Sequence, residues 1–340
     1  MIKVVRFFLI FCIGLFLGCL IFLFVDILFE NIEKNIILKN RDLYISDGDN
    51  FSISSDKILV YEMKKNTVFR RYKFLTQYKT NAQGFRDVDF KLNENPSNKL
   101  IIALGDSITF AGSVSNDKIY TKRLSKKIDE KETLYQYRVY NMGVDGYNII
   151  QTAYNLKING LKYKPDVVVF LYCLNDNDEH CSKEIYYAAL SGSNKINKFL
   201  CRSKAYREVY KIIIEKLDKE NSTNVAKIYR KYANIELDNI KNDEIGFNLI
   251  SELQKEYGFR CYVFIVPHFD NSKEKEMQKN VKNILKKYNN IKCIDLQENF
   301  IKVSEDFSIF REDIIHPNAY GHKLLADFIY SNLDQDGVLK

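Results

Sequence analysis

Gly105-Asp-Ser107 closes an apolar run at 100–104 that reads as a buried strand. A serine at the C-terminal end of a strand, beside a glycine, can turn its hydroxyl into the crevice above a sheet. Its own N–H can donate to an oxyanion at the same spot. A serine hydroxyl is a poor nucleophile without a base. The candidate base lies 209 residues downstream, in Glu312-Asp-Ile-Ile-His-Pro317. Asp313 and His316 are three apart, which lets a carboxylate hold one imidazole nitrogen while the other faces the serine. Tyr140-Asn-Met-Gly-Val-Asp-Gly146 and Val167-Val-Val-Phe-Leu-Tyr-Cys-Leu-Asn-Asp176 each carry or follow another strand-like run, so Gly146 and Asn175 also fall at strand ends.

The elements that must position these residues alternate in type. Strands are expected at 100–104, 137–142, 166–171, 260–266 and 291–296. Helices are expected at about 117–129, 148–161, 237–257, 273–288 and 317–332. Strands alternating with helices imply a parallel sheet covered on both faces. The expected fold class is α/β, a doubly wound (flavodoxin-like) α/β/α three-layer sandwich with about five parallel strands. Such sheets bind ligands at the carboxyl ends of their strands, where Ser107, Gly146 and Asn175 stand.

Taken in order, Gly-Asp-Ser at 105–107, Gly146, Asn175 and Asp313-x-x-His316 resemble the sequence blocks of the Ser-Gly-Asn-His hydrolases, also called GDSL esterases. The resemblance implies Ser107 as nucleophile, His316 as base and Asp313 as the group that orients it. It implies an oxyanion hole built from the N–H groups of Ser107 and Gly146 and the side-chain amide of Asn175. It implies no metal and no cofactor. The third block departs from the family pattern: Cys173 stands where Gly-x-Asn-Asp has glycine. Membrane-anchored members often carry Asn-x-x-Gly-Phe-Arg-Asp ahead of the first block, and Asn81-Ala-Gln-Gly-Phe-Arg-Asp87 is similar. That stretch reads either as a glycine turn with Arg86 paired to a nearby acid, or as a device that brings Arg86 near the site.

The 340 residues are 46% apolar and 28% charged, which excludes a disordered chain. A net charge of +7 is mild, and no zinc-finger or basic-aromatic pattern points to nucleic acid. Seven cysteines without Cys-x-x-Cys spacing argue for thiols, a Cys181–Cys201 pair being the one conceivable bridge. Residues 7–25 carry no charge, follow Lys3 and Arg6, and are long enough to span a bilayer. The expected organisation is an N-terminal transmembrane anchor at 1–30, a stalk and extension at 31–97, and a catalytic domain at 98–340 that lies outside the cytoplasm. A helical insertion at about 181–237 holds 12 Lys/Arg, 6 Asp/Glu and six tyrosines. It reads as a lid or groove for an anionic or sugar substrate, or as a solvated excursion packed on the domain.

His322 reads as structural and His268 as a loop histidine on the active-site edge. Asn175-Asp-Asn-Asp-Glu-His180 has clustered metal-ligand types but fits no known ligand spacing, so metal is not expected. Asp106 reads as a hydrogen-bonding residue at the strand end. The function expected is a serine esterase cleaving acyl, preferably acetyl, esters of an extracytoplasmic glycan through an acyl-enzyme. An O-acetyltransferase of a surface polysaccharide with the same triad is the alternative, followed by a lipid esterase and by a non-catalytic glycan-binding protein. The membrane and a carbohydrate are the partners implied; no protein partner is.

Overall fold

The computed structural model describes residues 50–71, 76–92, 97–182, 223–233, 241–267, 272–313 and 315–340, with isolated positions between 14 and 21, at 95, and between 185 and 216. Five strands form one parallel sheet: β5 (Asn98–Gly105), β6 (Gln136–Asn141), β7 (Val167–Tyr172), β8 (Arg260–Ile265) and β9 (Ile291–Asp295). Their order is β6-β5-β7-β8-β9, with registers such as Ile102↔Tyr140 and Ala103↔Val169. The first strand of the unit is thus flanked by the second and third, which creates a switch point beside β5.

The central strands read as continuous apolar runs because both of their faces are buried. Leu100, Ile102 and Leu104 enter one core cluster, while Ile101 and Ala103 enter another. Val168, Phe170 and Tyr172 alternate with Val167, Val169 and Leu171 in the same way. Helices α3 (Ile149–Asn155), α5 (Asn242–Tyr257) and α6 (Ser272–Leu285) cover the first face through Ile149, Phe247, Ile250 and Val281. Helices α2 (Tyr120–Asp129), α7 (Gln297–Ile301) and α8 (Ala319–Gln335) cover the second through Tyr120, Leu124, Phe300 and Leu325. The result is a three-layer α/β/α sandwich. Each sheet strand falls within two residues of its expected bounds. The helix expected at 148–161 is α-helical only to Asn155 and continues as a π turn at Leu156–Gly160.

Two antiparallel hairpins precede the sheet: β1 (Phe51–Ile53) with β2 (Tyr61–Met63), and β3 (Val68–Arg71) with β4 (Thr76–Lys79). Phe51, Leu59, Tyr61, Tyr78, Phe85 and Phe90 of this extension share the first core cluster with the sheet. The insertion is closed at its base by a bridge between His180 and Asn224 and by Cys181 N–H donating to Thr223 O (2.9 Å). A short helix, α4 (Val225–Tyr232), follows it. The apolar span at 7–25 lies outside the described residues apart from four isolated positions, as do most of the insertion, His268 and Cys201. Among the described residues, no helix is long and apolar enough to cross a membrane.

Candidate active site

Ser107 opens α1 (Ser107–Phe110), a single turn launched by the sharp end of β5. Gly105 makes that end possible: its φ is +150°, and a Cβ there would stand 2.9 Å from Leu171 O and run into the Thr109 side chain. Asp106 caps the turn, accepting from Ile108 N–H (3.0 Å) through Oδ1. Its other oxygen, Oδ2, accepts from two of the expected site residues at once: the Ser107 hydroxyl (3.2 Å) and the Asn175 amide (3.2 Å). Asp106 is therefore the structural hydrogen-bonder expected, and it also ties the first block to the third.

Asn175 lies on a 3₁₀ turn, Leu174–Asn177, directly after β7. Cys173 begins that turn in extended backbone (φ −109°, ψ 150°), a conformation any residue adopts, so glycine is not needed there. Burial, followed by the charges of Asp106 and Asp176, raises the Cys173 thiol well above the usual range. Asp176 is fully buried and accepts from Cys173 N–H (2.9 Å). Its carboxyl is pushed well up, first by desolvation and then by the Asp106 charge. Its Oδ1 has no hydrogen-bond partner among the described residues.

Gly146 sits on the loop after β6, at φ +73°. The loop runs alongside the Ser107 turn, with Val144 N–H donating to Gly105 O (3.2 Å). A Cβ on Gly146 would meet Ile185 Cδ1, Ser182 Cβ and the Tyr61 hydroxyl at 2.7–2.9 Å. Tyr61, from the extension, donates to Asp145 O (3.2 Å), and burial raises its phenol well above 10.

Asp313 and His316 form the second half of the site. His316 Nδ1 lies 3.0 Å from both Asp313 carboxylate oxygens. Asp313 Oδ1 also accepts from the backbone N–H groups of Ile315 (2.9 Å) and His316 (2.8 Å), so the carboxylate folds the loop that carries the imidazole. Both side chains are nearly buried, at 7% and 11% exposure. Asn318 then starts α8 by accepting from Tyr320 and Gly321 N–H, and its amide donates to Ile309 O and Arg311 O. The two halves meet where Ser113 Oγ donates to Pro317 O (2.8 Å), one residue beyond His316. Ala319 packs there on Ala111, Val114 and Ile119.

The five expected residues thus fall into two groups, Ser107–Asn175 beside the Gly146 loop and Asp313–His316, joined through the loop after α1. Among the described residues, no cluster of three or more His, Cys, Asp or Glu is placed to hold a metal. The arrangement offers a hydroxyl, a side-chain amide and a carboxylate-held imidazole at the carboxyl ends of a sheet, the inventory of acyl transfer.

Sequence reasoning missed Tyr61 and Asp176, and of its two readings of Arg86 the contacts fit the one that brings the side chain near Ser107. Arg86 is directed at carbonyl oxygens of the loop after α1, while its neighbour Asp87 takes the ion pair, with Lys122, and accepts from Asn141 N–H (2.7 Å). The apolar residues around Asn81–Asp87 were the available signal, since such a stretch packs on something.

A model of the GDSL-like Lipase/Acylhydrolase family matches residues 103–324. Solved structures resembling the chain include an acetyl xylan esterase (18% identity, 69% of this chain and 99% of the other, TM-score 0.43). A lipase/acylhydrolase from Enterococcus faecalis resembles it at 17% identity over 70% of this chain and 96% of the other, TM-score 0.41. A family two carbohydrate esterase from Clostridium thermocellum, in complex with cellohexaose, does so at 13% identity over 74% and 67%, TM-score 0.39. None of the curated proteins compared with the chain matches it.

Proposed function

The chain belongs to the GDSL-like lipase/acylhydrolase family and is a hydrolase acting on esters, and from that premise we propose that it is a serine esterase working through Ser107, His316 and Asp313. The observation that carries the reading is the pairing of His316 Nδ1 with both Asp313 oxygens at 3.0 Å, on a loop tied to that of the nucleophile turn. Asp313 fixes the tautomer that leaves Nε2 as the base. Ser107 turns its hydroxyl from Asp106 to that nitrogen when substrate arrives, and Oγ attacks the ester carbonyl as the proton passes to His316. The tetrahedral oxyanion accepts from the N–H groups of Ser107 and Gly146 and from Asn175 Nδ2. That nitrogen carries two hydrogens, and the bond of one to Asp106 aims the other. His316 returns the proton to the leaving alcohol. Water, activated by the same imidazole, then attacks the acyl-enzyme and frees the acid.

The substrate we propose is an acetyl ester on a glycan outside the cytoplasm, reached by a domain tethered through residues 7–25. Lys3 and Arg6 ahead of that uncharged run support the orientation, and the basic, tyrosine-rich insertion supports the glycan. A fluorophosphonate probe is expected to label Ser107, and Ser107→Ala to lose both labelling and acetyl-ester hydrolysis. An unlabelled, inactive wild-type protein would overturn the reading. For the location, an active C-terminal alkaline-phosphatase fusion is expected in a bacterial host, and an inactive one beside an active cytoplasmic reporter would reverse it.

A further inference from the structure

Arg86 lies ahead of the stretch that defines the family, which begins at residue 103, yet it is only 1% exposed. Burying a guanidinium is costly unless its N–H groups are bonded. Its Nη1 donates to Phe110 O (3.2 Å) and to Ala111 O, its Nη2 to Val114 O (2.7 Å), and its Nε to Asn116 Oδ1 (3.0 Å). The guanidinium carbon lies 4.6 Å from the centre of the Tyr78 ring and 5.7 Å from that of Phe110.

These carbonyls belong to the nucleophile's own helix and the loop beyond it. A one-turn helix leaves its last carbonyls without partners inside the helix. Here the chain also leaves α1 through Ala111 in the left-handed region (φ 62°), which scatters the following carbonyls. A planar fork of five N–H donors can collect several diverging carbonyls; a lysine ammonium is a single point. Ser113, inside the collected loop, donates to Pro317 O next to His316.

We infer that Arg86 is a positioning residue for catalysis. By fixing residues 110–116 it holds Ser107 through α1 on one side and His316 through Ser113 and Pro317 on the other. It thereby sets the distance between hydroxyl and imidazole. The inference rests on the esterase reading above.

Two variants test it. Arg86→Lys keeps the charge and loses the fork; Ser113→Ala keeps every Arg86 contact and loses the link to Pro317. In both, kcat on a small acetyl ester is expected to fall on the order of 10- to 100-fold with KM little changed, since a misplacement of about 1 Å is felt chiefly in the chemical step. Amide exchange at 315–318 is expected to quicken in both. Native kcat in either folded variant overturns the inference, whatever the change in Tm. Should Arg86→Lys fail to fold, Ser113→Ala decides. A wild-type protein that neither labels nor turns over refutes the esterase reading separately; unchanged exchange at 315–318 in the variants then refutes the brace as well.

Discussion

A single carboxylate oxygen, Asp106 Oδ2, holds both the Ser107 hydroxyl and the Asn175 amide. That sharing makes the role of Asn175 measurable. Its side chain is exposed, so truncation leaves no cavity in the core. If the amide serves the developing oxyanion, its loss falls on the transition state and spares substrate binding. Asn175→Ala is expected to keep its Tm and KM and to lose about 100- to 1000-fold in kcat. A folded variant with near-native turnover would remove Asn175 from the oxyanion hole. Gly146 is the opposite kind of position. At φ +73°, with three atoms within 2.9 Å of any Cβ, Gly146→Ala pays both backbone strain and contact. It is expected to lose on the order of 1–3 kcal/mol of stability, measured by denaturant unfolding, and turnover with it. An unchanged midpoint would show that the loop relaxes freely.

Among the elements, the sheet was legible and the small pieces were not. Strands such as Val167–Tyr172 bury all six residues, so an unbroken apolar run reports them directly. α1 has four residues and no room for a period of 3.6, and β1 and β2 have three each, so none leaves a pattern. The pairing of Asp313 with His316 was legible from spacing because the two share one short loop. The Asp106 contact that joins Asn175 to Ser107 spans 69 positions and has no local signature. His322, on α8, was readable only as structural. The fold packs it 0% exposed against Tyr120, ring centroids 6.2 Å apart and planes 3° from parallel. Neither ring nitrogen has a hydrogen-bond partner among the described residues. Burial, and then the charges of Arg86, Arg123 and His316, lower its pKa to about 3. The folded state therefore keeps it neutral, while the unfolded chain protonates it below about 6.5. Its contribution is complete above pH 6.5 and is lost as the pH falls toward 3, each pH unit of that window being worth about 1.4 kcal/mol. His322→Phe keeps the stacked ring and removes the titration. Its Tm is expected to match or exceed wild type at pH 8 and to fall less steeply between pH 6.5 and 3.5. Parallel acid limbs would assign the acid sensitivity to other groups.

At the scale of the whole molecule, the insertion after the third block is the segment proposed to govern what reaches the site. Its base lies at the carboxyl end of the sheet, where Asn148 Nδ2 donates to Asp178 O (3.0 Å) and the His180–Asn224 bridge closes the excursion. Ser182 and Ile185 stand over Gly146, and Ile185 and Ala189 belong to the first core cluster. The first residues of the insertion are thus part of the domain, and the test therefore replaces only residues 191–221. Twelve Lys/Arg against six Asp/Glu across 181–237 account for +6 of the chain's +7. If the excursion stands at the mouth of the site as proposed, its positive charge raises the local concentration of an anionic polymer and does nothing for a small neutral ester. Replacing 191–221 with a short Gly/Ser linker is expected to leave Tm and the hydrolysis of a small acetyl ester near wild type. Activity on an acetylated anionic glycan should fall steeply, and with it the salt dependence of kcat/KM. Equal losses on the two substrates would mean that the segment packs against the domain and supports the fold. A loss on the polymer alone, with the salt dependence intact, would move the polymer's contacts to the rest of the surface.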